Sequence, residues 1–143
     1  MDSKNEIILK ALLKNSKIPL GKIAKELKIS ETAVRKRIKR LELTGVIKGY
    51  TVIIDPAYLG YEGVSLVGID CEPDSVLRIF EKINNFSEVR YGALSSGDHM
   101  MMFEVWCKTP ENLNRFLKKL GGMKGVTRVC PAILLKKIEA GNP

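Results

Sequence analysis

The apolar positions of the first fifty residues recur at helical spacing, and those of the remainder switch to alternation interrupted by two further helical stretches. Ser3-Lys4-Asn5-Glu6 reads as a capping box, with Ser3 as the cap and Glu6 reaching back from three residues on. Ile8, Leu9, Leu12 and Leu13 then line a first helix ending near Lys14-Asn15. Pro19 marks a new start, after which Leu20, Ile23, Ala24 and Leu27 share one face of a short second helix. The third helix, about 31–44, is the clearest. Ser30 is a good N-cap, Glu31 suits the positive helix start, and Gly45 is a natural residue just past the end. Val34, Ile38 and Leu41 fall at i, i+4 and i+7 and must face a core. At about 100° per residue the opposite face carries Thr32, Lys36 and Lys39, with Arg35 and Arg40 at its edges.

Only Lys28-Ile29 separate the second helix from Ser30. Helices joined so tightly cross steeply, as in a helix-turn-helix. The small Ala24 lets them approach, Ile29 plugs the corner, and Lys28 is expected to adopt the left-handed conformation at a cost of about 1 kcal/mol.

Val46–Ile54 is β-branched and aromatic and reads as a linker strand whose apolar positions need a partner, which a second copy of the same strand can supply. Asp55-Pro56 ends it, and Leu59-Gly60 turns. Beyond it the pattern gives strand Val64–Cys71, a helix opened by Pro73-Asp74 with Val76, Leu77, Phe80 and Ile83 on one face, and strand Glu88–Ser95. A turn at Ser96-Gly97-Asp98-His99 leads into strand Met100–Lys108, with Gly97 read as supplying positive φ and Asp98 as capping. Thr109-Pro110 starts a helix with Leu113, Phe116, Leu117 and Leu120 inward and Gly121 as its stop, and a last strand runs from Val126 to Ile138. The expected fold is α+β: a three-helix helix-turn-helix, a linker strand, and a ferredoxin-like βαββαβ domain with an antiparallel sheet and both helices on one face. The expected boundaries are 1–45 for the first domain, 46–61 for linker strand and turn, 62–139 for the second domain and 140–143 for a tail.

Charge sharpens this picture once it is located. Residues 1–50 hold 13 Lys and Arg against 5 Asp and Glu, the whole surplus of +8, whereas residues 51–143 hold 11 of each. A surplus confined to one third of the chain points to a polyanion-binding module joined to a neutral partner domain. Lys and Arg neutralise phosphates and release counterions while a helix enters the major groove of double-stranded DNA. The candidate DNA-binding residues are therefore Ser30, Thr32, Arg35, Lys36, Lys39 and Arg40. Arg35 is the best placed to read a guanine edge, because its fork can bond O6 and N7 together.

Other chemistries find less support. Cys71, Cys107 and Cys130 lie far apart and read as small buried hydrophobes, and His99 is the single histidine, so neither a metal site nor a cofactor is expected. Ser95, Ser96, Asp98 and His99 gather at one turn, but adjacent Asp98 and His99 project differently and no further base accompanies them, so no catalytic residue and no enzyme is expected. An RNA-binding module of the same plan would need a basic, glycine- and aromatic-rich strand, where this chain has Met100–Trp106 with Glu104. No apolar run approaches the roughly 18 residues of a membrane span. With an acid at position 2 and no signal-peptide layout, the chain is expected to be cytoplasmic.

Residues 3–139 resemble the Lrp/AsnC (feast/famine) family of prokaryotic regulators, most nearly its archaeal LrpA-type members. The resemblance rests on IAKELKISETAVRKRIKRL at 23–41, GVIKGYTVIIDPAYLGY at 45–61, SSGDHM at 95–100, and Gly125-Val126. The absence of Gln and the many Lys and Ile residues also point to a thermophilic archaeon. The resemblance implies a transcriptional regulator, commonly autoregulatory, that dimerises through its linker strand and second domain (the RAM domain) and assembles further, commonly to octamers. It also implies a small-molecule effector, often an amino acid, near Gly97-Asp98. The candidate effector residues are Ser95, Ser96, Gly97, Asp98 and His99. Two positions depart from the family pattern: Val129-Cys130-Pro131 stand where hydroxyl residues are common, and His99 stands where Tyr often follows Gly-Asp. Fewer hydroxyls leave fewer groups to hold an amino acid, so an amino acid, another small molecule and no effector all stay open.

Overall fold

The computed structural model describes residues 2–134. The chain forms two compact units, one running to Ile53 and the other beginning at Ile54.

The first unit is three helices, α1 (Ser3–Lys14), α2 (Leu20–Leu27) and α3 (Glu31–Leu43). They close on Ile8, Ile23, Ala24, Leu27, Val34 and Leu41, with Leu20, Ile29 and Ile38 partly buried around them. The expected apolar stripes of α2 and α3 are thus the ones that pack. Lys28 is left-handed (φ 52°, ψ 46°), and its backbone N–H caps α2. Gly45 is left-handed as well (φ 70°) and follows the cap residue Thr44. The start of α1 differs from expectation. Asp2, not Ser3, is its cap, accepting from the Lys4 N–H at 3.0 Å, and Glu6 pairs with Lys10 at 2.6 Å instead of reaching back. Asp and Ser cap equally well, so local geometry decides, and Arg37 holds Asp2 in place.

The second unit carries strands β1 (Gly63–Cys71), β2 (Val89–Leu94), β3 (Met101–Cys107) and β4 (Val126–Ile133), with helices α4 (Val76–Asn84) and α5 (Pro110–Gly121). The sheet order is β2-β3-β1-β4 and every pairing is antiparallel. Alternation along β1 and β3 sends Val67, Ile69, Phe103 and Val105 inward against Ile79, Ile83, Phe116 and Leu120 of the helices. The other face presents Leu66, Gly68 and Asp70, opposite Glu104 and Met102 on β3 and Cys130 and Arg128 on β4. The Thr109 hydroxyl caps α5 at 3.1 Å with Pro110 in its first turn, as the sequence requires.

Four details correct the sequence reading. A 3-10 turn at Pro73–Ser75 precedes α4, whose stripe is Val76, Ile79, Phe80 and Ile83 at i, i+3, i+4 and i+7, and Leu77 is 67% exposed. Gly121 is the last residue of α5 and Gly122 its cap. Gly97 does not have positive φ, whereas Gly60 and Gly125 do. Residues 46–54 form no strand within the single chain. A strand needs a hydrogen-bonding neighbour, and the expectation had placed that neighbour in a second copy. Ile47 packs on the first unit's core, while Val46, Tyr50, Val52, Ile53 and Ile54 stay exposed. The part of the last strand expected at 135–138 lies outside the described residues. Cys71 and Cys107 are buried as expected, and Cys130 is half-buried.

Candidate DNA interface and effector turn

The thirteen residues of α3 span roughly 20 Å at 1.5 Å per residue, a rod suited to a major groove about 12 Å wide. The Ser30 hydroxyl accepts from the Ala33 N–H at 3.1 Å, so this residue's side chain is engaged in capping. Burial of Val34 and Leu41 fixes the rotation of the helix and leaves Thr32, Arg35, Lys36, Lys39 and Arg40 exposed together. Among the described residues none of these four cations is ion-paired. Arg37, the remaining α3 cation, is half-buried and turned away. It donates to Asn5 Oδ1 at 2.9 Å and to the Asp2 carboxylate, tying α3 to the start of α1. The Arg37 bond, followed by that from the Lys4 N–H, holds the Asp2 carboxyl below the usual carboxylate range. Helix α3 therefore keeps four cations outward and spends a fifth on its own scaffold.

The Ser95–His99 turn joins β2 to β3. Ser95, Ser96, Gly97 and Asp98 are exposed, and Ser95 Oγ donates to the His99 carbonyl. His99 turns back over the sheet face opposite the helices. Its ring lies so close over Gly68 that a Cβ there would stand 2.2 Å from His99 Cδ2. Nδ1 is 3.1 Å from Asp70 Oδ2 and 3.2 Å from an Arg128 guanidinium nitrogen. A protonated Nδ1 donates to the carboxylate, and a bare one accepts from the guanidinium. Asp70 also accepts from Arg128 Nε at 2.8 Å and from the Met100 N–H at 3.0 Å, while Arg128 donates to the Asp98 carbonyl at 3.2 Å. Burial opposes ionisation of Asp70, but the hydrogen bonds from His99, Met100 and Arg128 outweigh it and hold the carboxyl below its ordinary range. The sequence reading did not single out Asp70 or Arg128. The available signal was the one charged residue of the Val64–Asp70 run, at a position whose alternation sends it away from the core.

Comparison with known proteins gives the family of both units. Residues 1–48 match a winged helix-turn-helix DNA-binding domain, and residues 64–142 match the Lrp/AsnC ligand binding domain. The chain belongs to the Lrp/AsnC family. It is 46% identical to the HTH-type transcriptional regulator LrpA of Pyrococcus horikoshii over 97% of this chain and 99% of that one. It is 31% identical to the HTH-type transcriptional regulator FL11 of Pyrococcus furiosus over 95% of this chain and 90% of that one. The same fold is seen in E. coli AsnC (TM-score 0.78, 22% identity, 96% of this chain and 93% of that one). It recurs in a feast or famine regulatory protein from M. tuberculosis complexed with L-methionine (TM-score 0.80, 24% identity, 97% and 95%). This member of the Lrp/AsnC family is a DNA-binding transcriptional regulator with a ligand-binding domain, and its relatives are regulators and not enzymes. Among the described residues no helix is long and apolar enough to cross a membrane.

Proposed function

We propose that this regulator places α3 in the major groove of double-stranded DNA. In this reading Lys36, Lys39 and Arg40 meet phosphates, Thr32 approaches the groove, Arg35 reads a base edge, and Ser30 fixes the helix start. The observation that carries the reading is the exposed, unpaired set Arg35, Lys36, Lys39 and Arg40 on a helix whose rotation is locked by Val34 and Leu41. Arg35→Ala is the test of base reading. Affinity for a specific duplex falls about tenfold or more while affinity for a random duplex falls much less, since a bidentate guanine contact contributes roughly 1–3 kcal/mol of discrimination. An equal loss on both duplexes contradicts the assignment.

The second domain, in the division 1–45, 46–61 and 62–139, serves assembly and sensing. Val52 is 71% exposed and Ile53 56%, on a segment without a strand partner among the described residues. Pairing with the same segment of a second copy gives a homodimer, and association of dimers gives an octamer. Sedimentation of the full chain finds a dimer or larger, and Val52→Asp with Ile54→Asp shifts it toward monomer; a monomeric parent chain contradicts the reading. The effector reading rests on exposed Ser95, Ser96 and Asp98 around the Gly97 backbone, held by the His99–Asp70–Arg128 network beneath. The neighbour complexed with L-methionine makes amino acids the first ligands to test. A thermal-shift screen of the twenty amino acids on the parent chain and Asp98→Ala decides: stabilisation lost with Asp98 supports the site, and no stabilisation by any of them removes amino acids as effectors. Autoregulation follows if the chain's own upstream DNA is footprinted. The site of action is the cytoplasm, where a prokaryotic chromosome lies.

A further inference from the structure

The second unit holds a groove that neither the DNA interface nor the effector turn uses. It lies where β3 ends, beyond Trp106, whereas the Ser95–His99 turn precedes the first residue of β3, some five residues and roughly 17 Å away along the strand. Its volume, about 640 Å³, is within the range of roughly 300–1,000 Å³ typical of small-molecule sites. Trp106 and Phe116 line it together with four cations, Arg90, Lys108, Arg115 and Lys119, and one carboxylate, Glu88.

The cations are positioned without being neutralised. The β2–β3 register shifts between Val89, opposite Val105, and Tyr91, opposite Glu104, so Arg90 is the extra residue of a bulge. Bulges re-aim side chains, and this one lays the Arg90 guanidinium 5.4 Å from the Tyr61 ring centre and 5.3 Å from that of Trp106. Arg90 also donates to the Tyr61 hydroxyl at 3.0 Å. Lys108 stands 4.0 Å from the Tyr61 ring centre and donates to the Leu59 carbonyl at 2.7 Å, and Lys119 stands 4.1 Å from the Phe86 ring centre. An aromatic face orients a cation but leaves its full charge and most of its donors in place. Among the described residues none of the four is ion-paired, and Glu88 accepts from Ser87 Oγ at 3.1 Å. Four cations against one carboxylate in a concave site focus a positive field, although residues 51–143 as a whole carry no net charge.

The two guanidiniums match the geometry of phosphate oxygens, and four converging charges match a ligand bearing several. The groove is open to solvent, and its volume of about 640 Å³ beside aromatic rings suits a small molecule better than the extended backbone of a duplex. We infer that this groove binds a phosphorylated small molecule carrying three or more negative charges, separately from any ligand of the Ser95–His99 turn.

Trp106 is the only tryptophan of the chain, so its fluorescence reports occupancy of the groove and not of the basic helix α3. The full-length protein is titrated with ATP, inorganic triphosphate and sulfate at constant ionic strength. ATP or triphosphate gives a saturable change in Trp106 emission that Arg90→Gln and Arg115→Gln each weaken at least tenfold. Lys118→Gln, on the same helix but outside the groove, leaves it unchanged. Tighter binding of ATP than of triphosphate assigns a nucleotide, and equal binding assigns the phosphate chain alone. The inference is overturned by a flat response to both at millimolar concentration, or by an equal response to sulfate. It is also overturned by a change that follows protein concentration instead of ligand, or by one abolished in Lys36→Ala/Lys39→Ala and unaffected by the groove variants.

Discussion

Gly68→Ala offers a sign reversal that tests the packing of the Ser95–His99 turn. In an ordinary strand, alanine in place of glycine stabilises by about 0.5–1 kcal/mol. Here the new Cβ would stand 2.2, 2.5 and 2.7 Å from three atoms of the His99 ring, distances at which the ring must leave. Its departure breaks the Nδ1 contact with Asp70 and the approach of Arg128. Hydrogen bonds to charged groups contribute about 1.5–3 kcal/mol, so the expected net destabilisation is roughly 1–2 kcal/mol. For a unit of this size that lowers Tm by roughly 4–8 °C per kcal/mol. His99→Ala removes the obstacle at its own cost, and in that background Gly68→Ala becomes neutral or stabilising. Urea denaturation followed by Trp106 fluorescence reads the second unit selectively, because the only tryptophan lies there. A coupling of about 2 kcal/mol between the two substitutions is expected, as for residues in direct contact. Additive effects, or a Gly68→Ala chain as stable as its parent, would refute this account of the turn.

Three further outcomes follow from the same geometry. Arg37→Ala lowers the melting temperature of the first unit through loss of the Asp2 and Asn5 bonds, and it leaves the salt slope of DNA binding unchanged because Arg37 faces the scaffold; circular dichroism melting and a salt titration check both. Lys28→Gly stabilises that unit by about 0.5–1 kcal/mol, since the left-handed backbone at φ 52° strains any side chain but suits glycine; a lower Tm contradicts it. The folded Asp70 pKa is depressed, so its contribution to stability is complete above the unfolded value of about 3.9 and disappears as pH falls through the lower folded value. Asp70→Asn therefore destabilises at neutral pH and flattens the acid limb of the stability profile, measured by urea midpoints between pH 7 and 2.

What the sequence made legible is what local pattern dictates. The i, i+4, i+7 spacing of Val34, Ile38 and Leu41 fixed the rotation of α3 and so its cationic face, and the two-residue gap after Leu27 forced the left-handed Lys28. Alternation in β1 and β3 and the Thr109-Pro110 start of α5 gave the second unit's plan. Positions that depend on distant residues were hidden. Asp2 became the cap in place of Ser3 with help from Arg37, 35 residues away. Arg128 meets Asp70 across 58 residues, and nothing near either residue announces the other. Leu77 is apolar and adjoins the α4 stripe in sequence, but Val76, Ile79, Phe80 and Ile83 complete the i, i+3, i+4, i+7 face and leave it outside. Val46–Ile54 has strand composition, yet it forms no strand, because composition alone does not supply the hydrogen-bonding neighbour a strand needs.

The central claim is that α3 meets phosphate with Lys36 and Lys39, and the salt dependence of DNA affinity tests it most directly. Association constants for a duplex from the chain's own upstream region and for a random duplex are measured from about 50 to 200 mM salt. Each lost phosphate contact flattens the slope of log K against log salt by about 0.9. The account predicts that Lys36→Ala and Lys39→Ala each weaken binding to both duplexes alike and flatten the slope by about one unit, while the control Lys118→Ala changes neither. Unaltered affinity and slope in both α3 variants would contradict it.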